Sequence, residues 1–375
     1  MLFYIALSVY NKLCNYLFLE VNALDFRLNI MALSLIKGMG KQRIVQLMNW
    51  CIENDYMHSN LTLSVMLESP VPLLHKLIND GQLDSILWSD CLNKAQKIIE
   101  KHELEGISII SYLDTNYPKE FFVLNKKPVL LYAKGNLELL LDENKVAVIG
   151  TREPSSFAQK MAYKVSQLLL DEDFTIVSGL AEGCDSIGHQ AAVDTTGKTI
   201  AILAAGLDQP IYPKQNTALA QQILENGGLL LSEYPNGTRL NRNQFVARDE
   251  WQSGLSLGTF VVEGGLKSGT RHASYKTLEQ DRVLGVLNPF ELKVNNQYVF
   301  DKDDAQVQLN KALLAEEKSI SIFEKEDVQK FIEAMIVKKE QIARNYEEKR
   351  PKLLGAKTQK SVKSDDSIYI QESLF

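Results

Sequence analysis

The sequence is short of the residues that build covalent or metal frameworks. Among its 375 residues there are four cysteines, Cys14, Cys51, Cys91 and Cys184, and no two of them form a CxxC pair. That spacing argues against a disulfide scaffold or a zinc knuckle, and it fits a reducing cytoplasm. Positive charge is also in deficit. The 41 Lys and Arg face 47 Asp and Glu, for a net charge of −6, so any nucleic-acid site must be a local patch and not a global field. No run reaches the ~18 apolar residues that a membrane span requires. The first twenty residues are fairly apolar, but Tyr4, Tyr10, Asn11, Lys12 and Asn15 interrupt them, and neither a basic leader nor a small-residue cleavage site is evident. They read as a buried helix or as a start codon placed too early, since the recognisable pattern begins at Met31. There is no internal repeat. A Ser/His/Asp order, HExxH, Walker A and GxGxxG are all missing, so neither a metal nor a dinucleotide cofactor is expected.

What is present is an ordinary globular composition, 45% hydrophobic, on a chain long enough for two or three domains. Residues 31 to about 105 carry apolar side chains at helical spacing, in 36–47, 71–77 and 83–99. Short strands are expected at 107–112 and 129–135. From residue 145 short apolar strands alternate with amphipathic helices, and the last strand is expected at 283–287. Such alternation predicts an α/β fold, an extended Rossmann-like, doubly wound, mostly parallel sheet. The expected divisions are a helical region over 1–105, the Rossmann-like domain over 106–298, and a charged helical segment with a flexible basic tail over 299–375. Between Lys338 and Lys363 nine Lys and Arg face three Glu, about +6 on an acidic chain.

Three strand ends carry anion-binding chemistry. In Val148-Ile-Gly-Thr-Arg-Glu-Pro-Ser155, a buried strand stops at Gly150 and a helix starts near Ser155. Thr151, Arg152 and Ser155 can donate to a phosphate there, aided by the helix dipole; the bland alternative is a plain turn with a surface arginine. In Val177-Ser-Gly-Leu-Ala-Glu-Gly-Cys-Asp185, Ser178 and Gly179 end a strand and Asp185 stands at an N-cap. His189 falls one turn later, on the same helix face, and reads as a packing residue. In Glu263-Gly-Gly-Leu-Lys-Ser-Gly-Thr-Arg271, Lys267, Ser268, Gly269, Thr270 and Arg271 would surround an anion. A fourth segment, 239–256, interleaves Arg239, Arg242 and Arg248 with Phe245 and Trp251. It suits a surface that tracks a backbone and stacks bases, or else a solvated loop with its aromatics in the core.

Taken together these phrases resemble the DNA-processing protein A (DprA, or Smf) family. Tyr117-Pro, Lys127-Pro-Val-Leu-Leu-Tyr-Ala-Lys-Gly-Asn136, the two loops above, Ala205-Gly-Leu-Asp, Tyr212-Pro-Lys-Gln-Asn, Leu231-Ser-Glu-Tyr-Pro, Gly254-Leu-Ser and Val262-Glu through Ser268-Gly follow the family's order over residues 31–290. The resemblance implies a Rossmann-like domain that binds single-stranded DNA, dimerises and helps load a RecA-type recombinase, without catalysis. It carries phosphate contacts onto Gly150, Arg152, Ser178, Gly179, Lys267, Ser268 and Gly269, with Arg248 in a basic loop. The chain also departs from the pattern. Where the family has a run like Phe-Pro-Arg-Arg-Asn-Arg, this chain has Phe245-Val-Ala-Arg-Asp-Glu250, which loses two arginines and gains an acid. The departure makes a role in phage, plasmid or defence biology as apt as one in transformation.

Two flanking features fit a DNA role. Residues 35–47 resemble a helix-hairpin-helix element, with Gly38, Gly40 and Lys41 at its turn, or they serve packing alone. The final Gln371-Glu-Ser-Leu374-Phe375 resembles a peptide that docks on the bacterial sliding clamp. The alternative functions are a phosphoribohydrolase-like enzyme, with Glu279 as its acid/base, and a nucleotide-sensing domain.

Overall fold

The computed structural model describes residues 26–54, 56, 61–292 and 303–353. The clamp-like peptide Gln371, Leu374 and Phe375 and the tail beyond 353 lie outside the described residues.

After a helical stretch over 26–34, the N-terminal part packs four helices: α1 (Lys41–Glu53), α2 (Leu63–Glu68), α3 (Pro72–Asn79) and α4 (Ser85–Leu104). Thr62 and Asp84 cap α2 and α4 with their side chains, which satisfies amides that a helix start leaves open. Their apolar faces share one core with β1 (Ser108–Ser111), β2 (Leu130–Gly135) and the buried Tyr112, Tyr117 and Tyr132. A short α5 (Lys119–Phe122) links the two strands.

The remaining elements wind a single sheet. In chain order they are β3 (Lys145–Ile149), α6 (Ser156–Asp171), β4 (Thr175–Ser178), α7 (Cys184–Val193), β5 (Thr199–Leu203), α8 (Thr217–Glu225), β6 (Leu229–Ser232), α9 (Arg242–Gly254), β7 (Gly258–Val261), α10 (Gly269–Glu279) and β8 (Val283–Leu287). Beyond residue 298 come α11 (Gln308–Ala315), β9 (Ile320–Ile322) and α12 (Lys325–Leu353). The nine strands lie in the order β1-β2-β6-β5-β4-β3-β7-β8-β9. All neighbours from β6 to β9 are parallel, and β1 and β2 extend that edge antiparallel. Strands β3 to β6 are buried almost throughout because helices cover both faces, and their side chains are correspondingly apolar.

Two expectations are corrected here. Val283–Leu287 is not the last strand, because Ile320-Ser-Ile322 pairs with β8 and brings α11 and α12 against the sheet. Residues 242–254 are not a loop. They form α9, whose Asn241 and Gln244 make a reciprocal capping box.

From β3 the chain steps outward through β4, β5 and β6, then returns to the other side of β3 for β7, β8 and β9. The loops after β3 and β7 therefore part to opposite faces, and a crevice opens at the carboxyl end of β3. In an open parallel sheet this switch point is where ligands bind.

Candidate phosphate-binding site at the switch point

A pocket of about 340 Å³ occupies the crevice. Gly150, Thr151 and Arg152 reach it from the end of β3, Ala181 from the loop after β4, Asp185 from the start of α7, and Ser268, Gly269 and Thr270 from the start of α10. Arg248, Asp249 and Gln252 on α9 close its remaining side.

The strand-end loops are tied to one another. The Thr151 amide donates to the Glu263 carbonyl at 2.7 Å, and the Cys184 amide donates to the Thr151 carbonyl at 3.1 Å. Glu263, buried, accepts from the Ser155 amide and from its hydroxyl, both at 2.8 Å. Burial pushes the Glu263 carboxyl up, and the two Ser155 bonds oppose that shift. Gly183 turns into α7 at φ +76°, where its Cα lies so close to the Thr151 carbonyl that an added Cβ would meet it at 2.4 Å. Only glycine fits that approach without strain.

Along one wall of the pocket runs an ionic trio in which Asp185 and Arg248 are buried and Asp249 is half-buried. The Asp185 side chain accepts from the Gly179 amide at 3.2 Å and the Ala181 amide at 3.4 Å, and it pairs with the Arg248 guanidinium at 3.4 Å. Arg248 Nε stands 3.1 Å from Asp249. Two carboxylates thus share one buried cation. Burial raises Asp185, and it pushes Asp249 up to about 6, with Arg248 opposing the shift and Asp185 adding to it. Removing one partner from such a cluster strands the others, at a cost of about 3–5 kcal/mol.

The expected site residues divide into two sets. Gly150, Thr151, Arg152, Arg248, Ser268, Gly269 and Thr270 come together around the one pocket. Arg152 is exposed and has no ion pair among the described residues. Arg248, expected in a basic loop, is 5% exposed on a helix and spends its charge internally. Ser178 is buried and donates to the Val148 carbonyl at 2.6 Å, and Ser155 is occupied by Glu263 and by capping α6. Gly179 packs directly beneath the Arg248 guanidinium. Lys267, Arg239 and Arg242 are exposed outside the pocket lining. Asp185 is no cap of its own helix: α7 starts at Cys184, and the carboxylate holds the preceding loop instead. His189 is a packing residue. It is fully buried, its Nδ1 lies 2.7 Å from the Thr199 hydroxyl, and burial lowers it to about 3.

Sequence reasoning passed over Asp249, Gln252 and the structural role of Glu263. An acid directly after a buried apolar strand, as at Phe260-Val-Val-Glu263, was the available signal. Glu250 lies 3.3 Å from the His272 ring and 3.8 Å from the Lys276 ammonium, both on α10. Glu279, the acid/base of the enzyme alternative, is exposed beside Lys276 and does not line the pocket. At the hairpin-like turn Gly38 adopts φ +91° and the Gly40 amide donates to the Gly38 carbonyl at 2.9 Å. Lys41 there pairs with the buried Glu233 and lies over the Trp251 ring.

The topology and the pocket define the class as a Rossmann-like protein with a pocket at its switch point. Residues 108–317 match the family model described as DNA recombination-mediator protein A, and the chain belongs to that family. It is similar to the DNA processing protein DprA of Bacillus subtilis, 34% identical over 189 residues. That alignment covers 50% of this chain and 63% of the relative, under two thirds of its length. Among solved structures, DNA processing protein A of Streptococcus pneumoniae superposes with a TM-score of 0.63 at 28% identity, covering 78% of this chain and 93% of that one. Helicobacter pylori DNA processing protein A, whose structure is described in terms of its single-stranded DNA binding mode, superposes at 0.51 with 29% identity, covering 62% and 96%. Among the described residues, no helix is long and apolar enough to cross a membrane.

Proposed function

We propose that this chain binds single-stranded DNA through the switch-point pocket and acts in DNA processing as a binder, without chemistry on the strand. The observation that carries the reading is the convergence of the β3 turn and the α10 N-terminus on one small pocket, with Arg152 exposed at its mouth. A helix start and an unpaired guanidinium suit one phosphate group. Beside them Tyr212, about half exposed, and Phe245 bring their rings to 5.6 Å from each other, with Arg248 5.8 Å from the Phe245 ring. Aromatic faces next to a phosphate site offer a base a stacking surface that tolerates any sequence. The name and the described DNA binding mode of the Helicobacter pylori relative support the same reading.

Thr151, Arg152, Ser268, Gly269 and Thr270 are assigned to the phosphate, and Lys267, Arg239 and Arg242 to the approach. Candidate partners carried by the resemblance are a RecA-type recombinase, a second copy of this chain and, through Gln371, Leu374 and Phe375, a sliding clamp. The test is binding of a labelled oligothymidylate at rising salt, comparing the parent with Arg152→Ala and Lys267→Ala. The expected result is an affinity that falls with salt and falls again in the variants. Equal affinities in all three proteins would remove the pocket from the function.

A further inference from the structure

A second, larger groove runs along the other flank of α9. It measures about 1170 Å³, more than three times the 340 Å³ of the switch-point pocket. Its walls are α1 and the turn after α5, which contribute Lys41, Arg43, Lys126 and Lys127, while α9 supplies Val246 and Trp251. Lys41 is spent on Glu233, which leaves Arg43, Lys126 and Lys127 lining the groove without an ion pair among the described residues, on a chain of net charge −6. One acid, Glu250, also lines the groove, and it lies 3.8 Å from Lys276. Lys126 is exposed and without an ion pair among the described residues. Lys127 donates to the Phe122 carbonyl, and burial with the nearby Lys349 lowers it to about 8. Crowding of like charge at this place is relieved by an anion. Trp251 supplies an independent sign. It is 7% exposed, and its indole N–H, buried, has no hydrogen-bond partner among the described residues. A buried donor of this kind is costly unless something accepts from it.

We propose that the groove between α1 and α9 holds a further stretch of the single strand's phosphate backbone, continuing past α9 from the switch-point pocket. The inference rests on the function proposed above. The charge pattern favours a nucleic acid over an acidic peptide because α9 lines both sites. Its Arg248 and Gln252 face the pocket, and Val246 and Trp251 face the groove. One continuous polyanion can occupy both.

The experiment uses the full chain and two labelled oligothymidylates. One is just long enough to fill the pocket, and the other has roughly 16 nucleotides, the upper end of a single binding module's footprint. Lys126→Glu is compared with the double variant Arg43→Glu/Lys126→Glu, and thermal melts confirm folding. Lys126→Glu disturbs no internal bond among the described residues, so it keeps the test valid if the double variant melts early. The expected result is at least a tenfold weaker grip on the long strand, unchanged binding of the short one, and a salt slope reduced by roughly 0.7 per lost contact. Parent-like binding of the long strand, with Arg152→Ala still weakening the short one, would overturn the groove and leave the pocket standing. If Arg152→Ala also binds the short strand like the parent, the proposed function itself falls. A polyglutamate peptide that binds the parent more tightly than the long strand, and is lost in Lys126→Glu, would assign the groove to a protein partner and overturn the proposal.

Discussion

Arg152 and Arg248 line the same pocket in opposite states. Arg152 sits on the turn after β3, exposed and without an ion pair among the described residues. Arg248 sits on α9, 5% exposed, wedged between Asp185 and Asp249. The two have the same side chain and differ in what surrounds it. A guanidinium whose charge is spent on a buried and a half-buried carboxylate is a strut, and one left in solvent at a helix-lined crevice keeps its charge free for a ligand. Counting arginines in a sequence therefore overstates the charge available to DNA.

The largest effect should come from the strut. Arg248→Ala leaves Asp185 and Asp249 unpaired, and a denaturant melt should show a loss of about 3–5 kcal/mol. A parent-like melt would break the contrast. Arg152→Ala should behave in the reverse way, melting within about 0.5 kcal/mol of the parent. It should nonetheless bind single-stranded DNA about tenfold to a hundredfold more weakly, the range for a lost hydrogen bond to a charged group.

Asp249 sharpens the comparison through pH. Its carboxyl is raised to about 6, so it is charged at neutral pH and lies against Gly269 at the α10 N-terminus, where a phosphate would sit. The native state holds this proton more tightly than the unfolded chain does. Its favourable contribution is therefore complete below the ordinary aspartate range and disappears as pH rises through about 6. Phosphate affinity follows the same sign and should rise by about fivefold between neutral pH and about pH 5. Asp249→Asn should bind tightly at both, and a parent whose titrated affinity stays flat would remove Asp249 from the site. The smallest effects belong to Arg239→Ala and Arg242→Ala. Each should cost about twofold in affinity at physiological salt. Each should also lower the salt slope by roughly 0.7, measurable from binding curves at several ionic strengths.

Much of the fold was legible because strands buried on both faces must be apolar and helices in such a sheet must be amphipathic. Val146-Ala-Val-Ile149 and Thr199-Ile-Ala-Ile-Leu203 admit no other reading between their flanking helices. Strand β9 was hidden because three residues, Ile-Ser-Ile, carry no period against a charged background. Helix α9 was hidden because its few apolar residues are scattered among Arg, Asp, Asn and Gln, although the Asn-x-x-Gln capping signature at Asn241 was in plain view. Helix α10 starts at Gly269, earlier than its apolar pattern suggests, because Ser268 caps it by accepting from the Arg271 amide.

The strand ends Gly150, Ser178 and Glu263 and the turn chemistry after them are local facts, set by apolar runs that stop at glycine, serine or glutamate. The sequence alone determined these, along with the parallel sheet and the family. Pairing Arg248 with Asp185, 63 residues apart, belongs to the tertiary structure. So does hiding Ser178 under the Val148 carbonyl and turning one flank of α9 toward the pocket and the other toward the groove. Those outcomes depend on which charges lose their water when the helices close over the sheet, and no local pattern records that.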